Sequence, residues 1–173
     1  MNMENIISQL KMDGVTKGLC RLWQIKLSKE NITMEELAQL YFKGIDFCIS
    51  KDFPTLDFLR QNFKGKCEPY GVFIDDPCVR ERNREELSLN GDCKADLFYS
   101  GYSVSRVFAR HASEMNVTAC GSAHLTVDIF DDVKLSISVI GSKARVLVNV
   151  YGNAQVQSTG NVKVVNKKTA TYE

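Results

Sequence analysis

The chain has little histidine, little proline and no excess charge: two histidines, three prolines and a net charge of +1 over 173 residues. Any acid–base chemistry built on imidazole must therefore pass through His111 or His124. The charge balance holds locally as well. Residues 1–87 carry 13 basic and 14 acidic side chains, and residues 88–173 carry 9 and 7. Neither half has the basic footprint that phosphate backbones require, so nucleic acid is not an expected partner. No apolar run approaches the roughly 18 residues of a membrane span. The amino terminus, MNMENIISQLKMDG, has no basic segment ahead of a long apolar core. These absences point to a cytoplasmic chain with no membrane partner.

Short ligand spacings are missing too. Cys20, Cys48, Cys67, Cys78, Cys93 and Cys120 form no CxxC pair and no close cysteine–histidine cluster, so no structural metal is expected. In a cytoplasm they stay reduced and read as small apolar side chains. Walker A, GxSxG, HExxH and dinucleotide-binding fingerprints are absent, and no cofactor is expected.

Residues 1–64 read as a helical region. Thr33 followed by Glu36 is a capping box ahead of Leu37, Leu40, Tyr41, Gly44, Ile45 and Cys48, whose spacing predicts a helix over 33–50. Val15, Leu19, Leu22 and Trp23 predict another over 13–27. A third is expected to start at Pro54, with Asp52 as its cap, and to stop near Gly65. Some 60 residues of short helices make a marginal core, so these helices are expected to pack on the rest of the chain or on another copy. Residues 65–90 change character. Pro69-Tyr70-Gly71 and Asp76-Pro77 are turn signals, Val72–Ile74 is a short strand candidate, and Arg80–Glu86 mixes both signs, which together read as a solvated connector.

From residue 91 to 166 the sequence falls into rows of about ten: SEMNVTACGS, AHLTVDIFDD and VKLSISVIGS, then, after an insertion at Lys143, ARVLVNVYGN and a frayed AQVQSTGN-VKVV. Ala95–Tyr99 and Ser105–Ala109 are two earlier, degenerate rows. Row positions 3, 5 and 7 are mostly apolar, as in Leu135, Ile137 and Val139, and positions 2, 4 and 6 mainly polar. That alternation marks strands with one buried face. Position 8 is apolar, and Gly or Asp with Ser, Asp or Asn follows as a corner.

Two architectures fit, an antiparallel meander or a β-solenoid whose coil uses two rows. Two-residue hairpins at Gly141-Ser142 and Gly152-Asn153 would set polar columns against apolar ones. The reading favoured is therefore α+β, with N-terminal short helices followed by a C-terminal β-solenoid and a tail at 167–173.

His124 is expected in the outward second column between Glu114 and Lys134, and Cys120 in the apolar eighth, which separates the one thiol–imidazole pair a nucleophile would need. Asp128, Asp131 and Asp132 could attract a hard cation, but the other corners are Gly-Ser and Gly-Asn, so this one reads as a solvated turn. The aromatic and arginine segment Phe98, Tyr99, Tyr102, Arg106, Phe108 and Arg110 is the candidate binding surface, since arginine beside aromatic rings is enriched at interfaces.

Tyr41-Phe-Lys-Gly-Ile-Asp-Phe-Cys through Asp52-Phe-Pro-Thr-Leu-Asp-Phe-Leu-Arg, Gly101-Tyr-Ser-Val-Ser-Arg-Val and the Ile129-Phe-Asp-Asp row resemble a family of uncharacterised proteins common in gut Bacteroidales genomes and their phages or mobile elements. That resemblance covers most of the chain and implies no activity or site residues. The Gly-Ser-Ala rows loosely resemble the solenoid head domains of bacterial adhesin-like proteins. The expected function is a non-enzymatic structural or protein-interaction module that self-associates or binds a protein partner through its solenoid. The alternative is a small-ligand binder with a pocket between the helices and the first β rows.

Overall fold

The computed structural model describes residues 2–172 and divides into two compact units, residues 2–70 with Tyr172, and residues 71–171. Among the described residues, the first unit holds five α-helices and a 3-10 turn. Helix α1 (Met3–Thr16) was not foreseen. Asn2 caps it by accepting from Glu4 N at 2.8 Å, and Ile6, Leu10 and Gly14 form its buried i, i+4 stripe.

The helix expected over 13–27 is broken. Gly18, at φ +93°, closes α1, Leu19 N donates to Gly14 O at 2.8 Å, and α2 runs from Arg21 to Leu27. The Thr33–Glu36 capping box is present in full and opens α3 (Met34–Lys43). The predicted continuation to Ser50 is a separate helix, α4 (Ile45–Ser50). The break is at Gly44, where an added Cβ would meet the Trp23 ring at 3.2 Å. A Cβ there would make the indole give by a few tenths of an ångström. The expected Pro54 start is also corrected: Phe53–Pro54 is a cis bond, and Thr55 caps α5 (Leu56–Asn62) by accepting from Phe58 N. Among the described residues no helix is long and apolar enough to cross a membrane.

The second unit is a β-solenoid. Its strands are β1 (Val72–Ile74), β2 (Val79–Arg82), β3 (Glu86–Asn90), β4 (Lys94–Tyr99), β5 (Val104–Ala109), β6 (Glu114–Ala119), β7 (His124–Ile129), β8 (Lys134–Val139), β9 (Arg145–Val150), β10 (Gln155–Thr159) and β11 (Val162–Asn166). The odd strands form one parallel sheet in the order β1-β3-β5-β7-β9-β11, and the even strands another in the order β2-β4-β6-β8-β10. Each strand pairs with the strand two rows on, as in Met115 with Leu135 and Leu125 with Val146. Two rows make one coil, and the meander is excluded.

Like stacks on like along each column, and the inward residues of β4 to β9 are all buried. Burying each Leu, Ile or Val contributes about 1.5–3 kcal/mol, so the repeated columns are the main source of this unit's stability.

The solenoid begins earlier than expected. Residues 71–90, assigned to a connector, supply β1, β2 and β3. β1 falls on the expected strand candidate Val72–Ile74, whereas the signal of β3 was hidden because Leu87–Asn90 are all buried, leaving no polar–apolar alternation to read. The tail continues the ladder: Lys167 N donates to Val150 O at 2.8 Å, and Gly152 N to Thr169 O at 3.3 Å.

The corners from Gly91 to Gly152 place their ninth-position residue in the left-handed region, among them Gly121, Gly141 and Gly152, and also His111 and Asp131. Gly160, between β10 and β11, is the tightest: an added Cβ would lie 2.0 Å from Val139 O, whereas at Gly141 nothing lies within 4 Å. Gly141→Ala is expected to lose about 1–2 kcal/mol from backbone conformation alone. Gly160→Ala should lose more, on the order of 3 kcal/mol, with hydrogen-exchange protection lost first in β10 and β11. Urea unfolding of both variants checks the ranking.

Candidate interaction surfaces

Successive strand residues point to opposite sides, so positions 2, 4 and 6 of every even strand share one outer face. Parallel pairing turns each position into a ladder. Lys134 Nζ donates to Glu114 Oε1 at 3.5 Å, Asn116 Nδ2 to Asp96 Oδ1 at 3.1 Å, and Thr159 Oγ1 to Ser138 Oγ at 3.1 Å. The Arg82 guanidinium stands 4.5 Å over the Phe98 ring. Between these ladders runs a shallow groove of about 480 Å³ that crosses all the even strands, lined by Arg80, Lys94, Glu114, Asn116, Ser136 and Gln157 among others. A second groove, in the helical unit, lies along α1 and the segment Leu27–Ile32. Neither is lined by any of the six candidate binding residues.

The outer side of the odd sheet is different. Phe108, Arg110, Asp128, Phe130 and Tyr151 are buried there. Phe130 and Tyr151 stack at 4.6 Å with their planes 16° apart, and Asn149 Nδ2 donates to Asp128 Oδ1 at 2.7 Å. The eighth column is apolar, as expected, but its burial differs between the two sheets. Phe130 and Tyr151 are buried in the odd sheet, while in the even sheet Cys120 is half-buried and Ile140 is 59% exposed.

The six candidate residues do not form one surface. Phe98 faces outward on the even sheet, and its neighbour Tyr99 points into the coil and is fully buried. Tyr102 sits on a corner and is 90% exposed. Arg106 faces outward on the odd sheet, paired with Glu86 and 5.6 Å from the Phe108 ring, while Phe108 and Arg110 are buried. Adjacent rows lie on different sheets, which separates residues that are neighbours in sequence.

The same rule corrects His124. It stacks between Val104 and Arg145 on the odd sheet, whereas Glu114 and Lys134 pair with each other on the even one. Nor is the acidic corner a merely solvated turn. Asp131 Oδ2 accepts from His111 N at 2.8 Å, and His111 Nδ1 accepts from Gly91 N at 3.0 Å, so side chains stitch successive corners together. Asp75 and Asn83 do the same for the backbone of Asp92 and Ser100. Among the described residues no group of three His, Cys, Asp or Glu side chains is placed to hold a metal ion. Burial pushes the Cys67 thiol up to about 12, and raises Cys93 as well, so both are neutral thiols at neutral pH.

The last coil is the feature that sequence reasoning passed over. β10 pairs only with β8, and β11 only with β9. Their inward residues Val156, Val162 and Val164 are half-buried against the end of the core, whereas Val79 at the first coil is buried. A signal was available: Ala154–Val162 is a nine-residue run with no charged side chain and no proline.

Comparison with family models, with curated proteins and with solved structures finds no match to this chain.

The Tyr99 hydroxyl is buried with no hydrogen-bond partner among the described residues, and burial holds its ionisation well above the ordinary phenol range. Glu81 raises it further and Arg84 opposes. Above about pH 10 the unfolded chain has lost a proton that the folded chain retains, so stability falls as pH rises. Tyr99→Phe is expected to leave stability at pH 7 unchanged or raise it by about 1 kcal/mol, and to make the alkaline decline shallower. Urea midpoints at pH 7, 9.5 and 11 measure both effects.

Proposed function

We propose that this chain is a non-enzymatic structural or protein-interaction module that binds its partner through the solenoid. The observation that carries this reading is the unfinished last coil. An edge strand has backbone N–H and C=O groups on its outer side that the sheet does not pair, which makes it a template for another strand. Here two such edges lie side by side, with half-buried valines between them. Proteins that keep such edges inert use charge, proline or bulges, and β10 carries neither charge nor proline. A strand added at this end would pair the free groups and cover the valines together.

The test is a peptide of residues 154–167 titrated into the isotope-labelled chain. Amide shifts confined to β10, β11 and the corner between them are expected. An unperturbed spectrum at saturating peptide, with the labelled chain monomeric, would remove the edge as a binding element.

A small-ligand reading at a place other than the expected pocket between the helices and the first β rows has one observation in its favour, the polar groove across the even sheet. Its Lys, Arg, Asn and Gln side chains suit a polar solute more than an apolar one. A thermal-shift screen of nucleotides, sugars and metal ions is expected to leave the melting temperature unchanged if the module reading holds. A ligand that raises it, and fails to do so for Asn116→Ala, would move the assignment to the groove.

A further inference from the structure

We infer that the partner at the open end is a second copy of this chain, docked end to end about a two-fold axis normal to the sheets; this rests on the reading of the last coil as an edge that accepts a strand. The inference comes from register and charge. A two-fold axis normal to a sheet sets an edge strand antiparallel to its own copy, so every residue faces a residue of the same strand. On β10, an axis through Gln157 places Val156 opposite Ser158 of the second copy and Gln155 opposite Thr159. Val156 and Ser158 pair in register with inward residues Leu135 and Ile137, and the other three with outward ones. Inward therefore meets inward, and outward meets outward, which is the condition for an extended two-faced sheet.

The odd sheet meets the same condition about Val164. Val162 faces Asn166 of the second copy, all on inward positions, and Lys163 faces Val165, both outward. No lysine is set against itself.

One axis serves both sheets. Gln157 pairs with Ser136, at row position 4, and Val164 with Val148, at row position 5. Strands of the two sheets run in opposite directions around each coil and occupy positions 2 to 7. Position 4 of one strand therefore lies across from position 5 of the next, and a single line normal to the sheets passes through both residues.

Charge selects the same occupant. Homotypic pairing places any charge near the axis against its own like, and like charges directly opposite across a ladder are unfavourable. The uncharged β10 has nothing to repel its copy, and the one charge on β11, Lys163, faces Val165 instead. Docking would join the two even sheets and the two odd sheets into continuous ones, and place Val164 against Val164 in a closed core.

Sedimentation velocity of the full chain over a range of concentrations tests this, with circular dichroism confirming that each variant is folded. The wild-type chain is expected at twice the chain mass. Gln157→Lys should weaken the dimer by about tenfold or more, because two positive charges meet at the axis. Ser136→Lys, one coil inward in the same column, should leave it unchanged. Mixing the Gln157→Lys and Gln157→Glu chains should restore a dimer containing one of each. A wild-type chain that is monomeric at every concentration, or a dimer indifferent to Gln157→Lys, would overturn the inference. If the 154–167 peptide binds that monomer, the end-to-end copy alone is wrong. If it does not, the edge reading falls with it.

Discussion

Everything in the solenoid depends on the parallel backbone ladder that ties each strand to the strand two rows away. Once Met115 pairs with Leu135 and Leu125 with Val146, every inward column stacks on itself and every outward column becomes a ladder. A slip of one residue would turn the whole inward set to solvent. A slip of a full coil would leave corner side chains such as Asp131 and His111 without the amides they now receive. The register is thus held by the apolar columns and by the corners together.

The same ladder explains why the chain's chemistry is distributed rather than concentrated. Neighbouring rows are on different sheets, so residues ten apart in sequence are separated and residues twenty apart are stacked. Glu114 finds Lys134, and Asp96 finds Asn116. On the even sheet these polar side chains pair along the ladder. What such a fold offers is regular surface and two ends, and the two ends differ. At the first coil Val72, Phe73, Ile74 and Val79 are buried, while at the last coil Val156, Val162 and Val164 are only half-buried. The association proposed at the last coil rests on this asymmetry.

Legibility in the sequence followed the strength of each physical signal. The rows from Ser113 to Asn153 were plain because one face is buried and the other wet, which writes a two-residue period. β3 was missed for the opposite reason, since Leu87–Asn90 are all buried and no period is left. The helix breaks at Gly18 and Gly44 were overlooked because an apolar stripe runs across them unbroken. Gly18 has a left-handed φ, and Gly44 lies against the Trp23 ring. The six candidate binding residues looked like a cluster because they are close in the chain, but β4 and β5 belong to different sheets.

The sequence by itself determined that this is a chain of short helices followed by stacked β rows, because hydrophobic periodicity and turn residues are local properties carried by each row. Only the tertiary structure decided which rows are neighbours, which outward side chains are buried and which end is left open. Those depend on pairings made across twenty residues or more, and no short window of sequence contains both partners of such a pair.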